Sequence, residues 1–137
     1  MGIRNVVVCG HIGCGAMRAL LEPELLKGLP MTAAWVGHAE TTRAVAQSRF
    51  TQQTEFEARW RALVEINVIT QLDHLCTHPC IAAGLADDTV ELFGWVFDIH
   101  EGSVSGYDPL RGEFVPLDEP QDRVQSYKPR WKLAANT

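Results

Sequence analysis

Val6-Val7-Val8-Cys9-Gly10-His11-Ile12-Gly13-Cys14-Gly15 decides the reading of this chain. Three β-branched residues without polar alternation read as a strand covered on both faces, the usual state in a parallel sheet. The strand runs into a glycine-rich turn that presents an imidazole and a thiol, His11 and Cys14. These are side chains that zinc prefers, and the glycines let a tight turn bring both to one place without steric penalty. A strand that stops at such a loop and resumes as a helix, here Ala16 to Leu21, is a common place for a site in an α/β protein.

The remaining pattern agrees with that class. Pro23 and Gly28-Leu29-Pro30 break the segment after the first helix, and Thr32 is the expected N-cap of a helix running through Trp35 and Arg43 to Ala46. Phe56, Trp60, Leu63, Val64, Leu72 and Leu75 recur near helical spacing and predict a long helix from about Thr54 to Leu75. Pro79 starts a short helix through Ile81 and Leu85. Val90 to Ile99 reads as a second strand, apolar on both faces, turned back at Glu101-Gly102 into Val104 to Tyr107. Pro109 to Leu117 is loop with a short strand, and residues 118–137 form a polar tail. Strand, helices, strand and hairpin in that order indicate an α/β domain over residues 1–117. The first strand has few strands to flank it, so a partner or a further part of the domain must complete the sheet.

At 137 residues with 46% apolar content, the chain is one domain by length. A formal net charge of −5 argues against a nucleic-acid binder, and the small cluster Lys128, Arg130 and Lys132 reads as a solvated tail. No apolar run approaches the roughly 20 residues that span a bilayer. The first residues read as a strand and not as a signal peptide, and four cysteines in such a chain are expected reduced, which points to the cytoplasm.

The Cys-Gly-His-x-Gly-Cys-Gly core of Val6 to Gly15 resembles the second zinc-ligand motif of the β-class carbonic anhydrases. The likeness continues in order through Trp35-Val36-Gly37-His38-Ala39, through Glu65-Ile66-Asn67-Val68 with Gln71, and through the Gly94-Trp95 strand, covering roughly residues 3 to 117. It implies the family's mostly parallel sheet flanked by helices, and reversible hydration of carbon dioxide to bicarbonate at zinc. His11 and Cys14 fall on two of the family's zinc ligands; from the glycine turn itself, Gly13 and Gly15 are expected to point backbone N–H groups toward the substrate. The resemblance also implies a homo-oligomer, a dimer or a multiple of dimers.

The family's first zinc cysteine lies in a Cys-x-Asp-x-Arg motif, and this sequence contains none. The chain therefore reads as the C-terminal part of such an enzyme, its N-terminal strands missing. Two other classes remain open: a non-catalytic partner subunit, and a zinc- or anion-binding module without turnover. A phosphate-binding turn fits less well, because the loop has neither Walker nor GxGxxG spacing.

Other residues read as structural. Cys9 is expected as a small buried apolar side chain, and Trp95 and Phe97 as core aromatics. Cys76-Thr77-His78-Pro79-Cys80 lacks zinc-knuckle spacing. His38 and His74 read as surface or packing residues. Asn67 and Gln71, four apart on a helix, are expected to share a buried polar contact.

Overall fold

The computed structural model describes residues 2–50, 55–118 and 124–134. The apolar run forms β1 (Asn5–His11), and the chain turns into α1 (Gly15–Leu21). Next come α2 (Pro30–Val36), α3 (Glu40–Arg49), the long α4 (Phe56–Leu75) and α5 (Pro79–Ala86). The chain returns as β2 (Glu91–Asp98), β3 (Ser103–Asp108) and β4 (Glu113–Pro116), and ends in α6 (Arg130–Ala134). Thr54, the expected start of the long helix, lies outside the described residues.

The sheet has the order β1-β2-β3-β4 and is mixed. β1 and β2 run parallel, with Val6 opposite Leu92 and His11 opposite Phe97. β2, β3 and β4 follow as antiparallel neighbours. The fold is α/β as expected, with parallel pairing among the described strands confined to β1 and β2. The turn after β2 forms at the expected residues: Asp98 accepts the backbone N–H groups of His100 and Glu101 at 3.0 and 3.3 Å, and Gly102 takes φ +66°.

The core lies between the sheet and α4. Leu63, Val64, Val68 and Leu72 of α4 are fully buried against the face carrying Leu92 and Val96. Two glycines let the helix come this close. A Cβ on Gly10 would stand 2.8 Å from a Val68 methyl, and one on Gly94 would stand 2.8 Å from the other Val68 methyl and 2.9 Å from Leu72.

Five expectations need correction. β1 and β2 are covered on one face only. The face with Val7, Cys9 and His11 of β1 and Trp95 and Phe97 of β2 is open, so Cys9 is exposed, and Trp95 and Phe97 are 36% and 38% exposed. Among the described residues nothing is laid over their apolar surface. Thr32 is not a cap: Pro30 at the first helical position starts α2 two residues earlier, its fixed φ being suited to that place, and a short 3₁₀ turn at Gly37–Ala39 separates α2 from α3.

The last correction concerns the C-terminal segment, which engages the domain. Tyr127 bridges to Leu92, with its N–H donating to the Leu92 carbonyl at 2.7 Å, and its hydroxyl donates to the Asp73 carboxylate. Lys132, expected in solvent, has a side chain only 13% exposed and pairs with Asp88 at 2.6 Å.

Gly94→Ala is expected to lower stability by about 1–3 kcal/mol, because the β-branched Val68 is stiff and buried and cannot yield to the new methyl; denaturant unfolding measures this. A second expectation concerns pH. Burial, followed by the bond to Asp73, raises the Tyr127 phenol above its ordinary value of 10.0. The folded state thus keeps a proton that the unfolded chain releases, so stability is intact below pH 10 and falls as pH rises beyond it. Unfolding curves of wild type and Tyr127→Phe across alkaline pH should show a shallower loss in the variant.

Candidate metal loop

The candidate site is the loop at the carboxyl end of β1. Ile12 keeps the strand's register to its end by donating its N–H to the Phe97 carbonyl at 2.8 Å. Gly13 then takes φ +76°, a left-handed conformation that a side chain disfavours, and reverses the chain. Cys14 is the N-cap of α1, and Gly15 is its first residue.

His11 is exposed, and its ring Nδ1 lies 3.1 Å from the Ile12 carbonyl oxygen. A carbonyl only accepts, so in the neutral ring Nδ1 carries the proton and Nε2 keeps the lone pair. That is the tautomer in which a histidine binds a metal while its other nitrogen is held by a carbonyl. Cys14 is half-buried with a free thiol, and its backbone carbonyl receives two N–H groups: Arg18 of α1 at 3.0 Å and the Trp60 indole at 2.8 Å. Gly15 leaves open space, with nothing within 4 Å of where a Cβ would be.

The donor chemistry, one imidazole nitrogen and one thiol, suits zinc, and supplies two of the four positions of a tetrahedral centre. Among the described residues no group of three or more His, Cys, Asp or Glu side chains is placed to hold a metal ion. Cys76 is buried, with its thiol pushed up by burial and by Asp73, whereas Cys80 is exposed; they form no such group with His78.

Beside the start of α1, a cavity of about 240 Å³ has Ala16, Met17, Trp35, His38, Asn67 and Gln71 among its lining residues. Asn67 and Gln71 meet as expected: Gln71 donates to the Asn67 side-chain oxygen at 3.3 Å, and so does the buried Thr42 at 3.0 Å. His38 is exposed and packs edge-on against Trp35, and His74 is exposed on α4. A separate groove of about 540 Å³ lies between α4 and the β3–β4 turn, where burial raises the Glu65 carboxyl and Arg61 at 3.9 Å opposes that rise.

Sequence reasoning missed how the loop is held. Trp60 and Phe56 were legible only as an apolar pair one helical turn apart. In the structure Trp60 reaches the Cys14 carbonyl, and the Arg18 guanidinium lies over both rings, 5.5 Å from Trp60 and 5.6 Å from Phe56.

A mixed sheet backed by a long helix, with His11 at the end of a parallel strand and Cys14 in the loop after it, defines an α/β protein with a candidate site at the strand end. A family model described as carbonic anhydrase matches residues 1–104. A carbonic anhydrase of Pseudomonas aeruginosa is 41% identical over 135 residues, 98% of this chain and 60% of that protein. Carbonic anhydrase 1 of Escherichia coli is 35% identical, over 84% of this chain and 52% of its own. The solved structure of the β-carbonic anhydrase CcaA superposes with a TM-score of 0.81 at 36% identity, covering 90% of this chain and 54% of that one. The chain belongs to the carbonic anhydrase family, in its β class, and matches the C-terminal portion. It spans 60% or less of the length of these relatives.

Proposed function

We propose that this chain contributes part of a zinc site for the reversible hydration of carbon dioxide to bicarbonate. The observation that carries the reading is the His11–Cys14 loop, with Nε2 of His11 left free by the bond at Nδ1, in a chain of this family. His11 and Cys14 would hold the metal, which when bound supplies the acidity that makes a nucleophile from water at neutral pH. Ile12 holds the His11 tautomer through its carbonyl, and the bare Gly15 leaves room for a small substrate beside Cys14. The remaining donor comes from outside the described residues. The unbridged thiols fit a reducing compartment, and we place the protein in the cytoplasm.

The two-donor set favours a second reading, a zinc-binding or partner subunit without turnover. Zinc content after reconstitution and stopped-flow hydration of carbon dioxide, with and without a chelator, separate the two. Zinc retained by wild type and lost in both His11→Ala and Cys14→Ser is expected; zinc that survives both substitutions would overturn the site. Chelator-sensitive hydration supports the enzyme, and stoichiometric zinc with background hydration supports the partner subunit.

The open apolar face of β1 and β2 supports association into a homodimer or a multiple of dimers. Trp95→Glu places a charge on that face and is expected to shift sedimentation equilibrium toward monomer, with helix content unchanged.

A further inference from the structure

We propose that Trp60 is a positioning residue for the Cys14 thiol, acting through the Cys14 backbone carbonyl. The inference rests on the reading of Cys14 as a metal ligand. Cys14 sits between two glycines that offer no side-chain anchor: a Cβ at Gly13 or Gly15 would meet nothing within 4 Å. Beyond the packing of the Ile12 and Cys14 side chains against the core, such a loop is held by its backbone bonds. One of them, from Arg18 N–H at 3.0 Å, is the ordinary first bond of α1 and fixes the carbonyl only relative to its own helix. The other comes from Trp60 at 2.8 Å, 46 residues away on α4, and ties Cys14 to the element that packs under β1.

Two bonds to one carbonyl oxygen occupy both of its lone pairs and fix the peptide plane. With φ −65° and ψ 114° at Cys14 held in this way, the direction of its Cα–Cβ bond is set, and with it the region the sulfur can reach. The indole is itself immobilised. Arg18 lies over its face at 5.5 Å and is clamped in turn by Glu22 at 2.7 Å, and Phe56 packs beside it with ring centroids 6.2 Å apart. His11 is tied to the sheet through β1, whereas Cys14 is tied to α4. Trp60 therefore sets the spacing between the two donors.

Trp60→Phe keeps an aromatic ring under Arg18 and deletes the N–H. Cadmium titration reads the thiolate-to-cadmium absorption band, with Cys14→Ser defining the part that belongs to Cys14. The expected result is a Cys14-dependent band in wild type, and a loss of cadmium affinity of about 10-fold or more in Trp60→Phe, the usual scale for groups that orient metal ligands. Tyr127→Phe, which removes a bond from the far end of α4, controls for stability and should leave cadmium affinity unchanged. Unchanged affinity in Trp60→Phe, or an equal loss in Tyr127→Phe, would overturn the role of Trp60. A wild-type band indifferent to Cys14→Ser would instead overturn the metal reading, and this inference with it.

Discussion

The close approach of α4 to the parallel pair β1 and β2 is the constraint on which the rest of the structure depends. Gly10 and Gly94 lie diagonally on the covered face, Gly94 opposite Val8 and Gly10 opposite Val96, and Val68 fills the space that both leave. Because Val68 touches both strands, it fixes the helix against them at once. The fully buried Leu63 and Leu72 extend that contact along the helix. Interiors are packed to crystal-like density, so a contact this tight leaves little freedom in the register of either strand.

That register in turn places the loop. His11 is the last residue of β1 and stands opposite Phe97, so the imidazole is delivered to the sheet's carboxyl end by pairing alone. Cys14 lies beyond the reach of the pairing and is reached from the helix, by Trp60 two turns before Val68. The same packed unit thus governs both donors by different routes. Open α/β sheets collect sites at this end because strands stop there and loops diverge, and here the helix beneath also sends a side chain up to secure the loop.

Much of this was legible in the sequence. The strand–loop–helix, the long helix, the Pro79 helix and the Glu101-Gly102 turn all follow from patterns within a few residues: apolar runs, proline at a helix start, glycine at a turn. What escaped was relational. Whether a β-branched face is covered depends on what else the fold supplies, so Val7, Cys9, Trp95 and Phe97 look like core residues in sequence and stand open in structure. Tyr127 reaches Asp73 across 54 residues, and Lys132 reaches Asp88 across 44, so no local signal marks either. Thr32 failed for a local reason: two helix-start signals competed, and the proline, with its φ already set, prevailed over the hydroxyl. The site was legible as a residue pattern, but its support by the Ile12 carbonyl and the Trp60 indole was not.

The open edge, the open face and the two-donor loop all belong to β1. It stands at the edge of the four-stranded sheet although its composition is that of an interior strand. Its outward side chains, Val7 and Cys9, continue the apolar surface of Trp95 and Phe97, and His11 ends the same row. A strand laid along the free edge of β1 would satisfy its unpaired backbone groups. The carboxyl end of a strand parallel to β1 would also lie beside His11, where the proposed zinc site would take a third donor. An element across the open face would cover the aromatic pair. On the proposed function, a strand at the free edge of β1 would complete sheet and site together, next to the face that α4 leaves open.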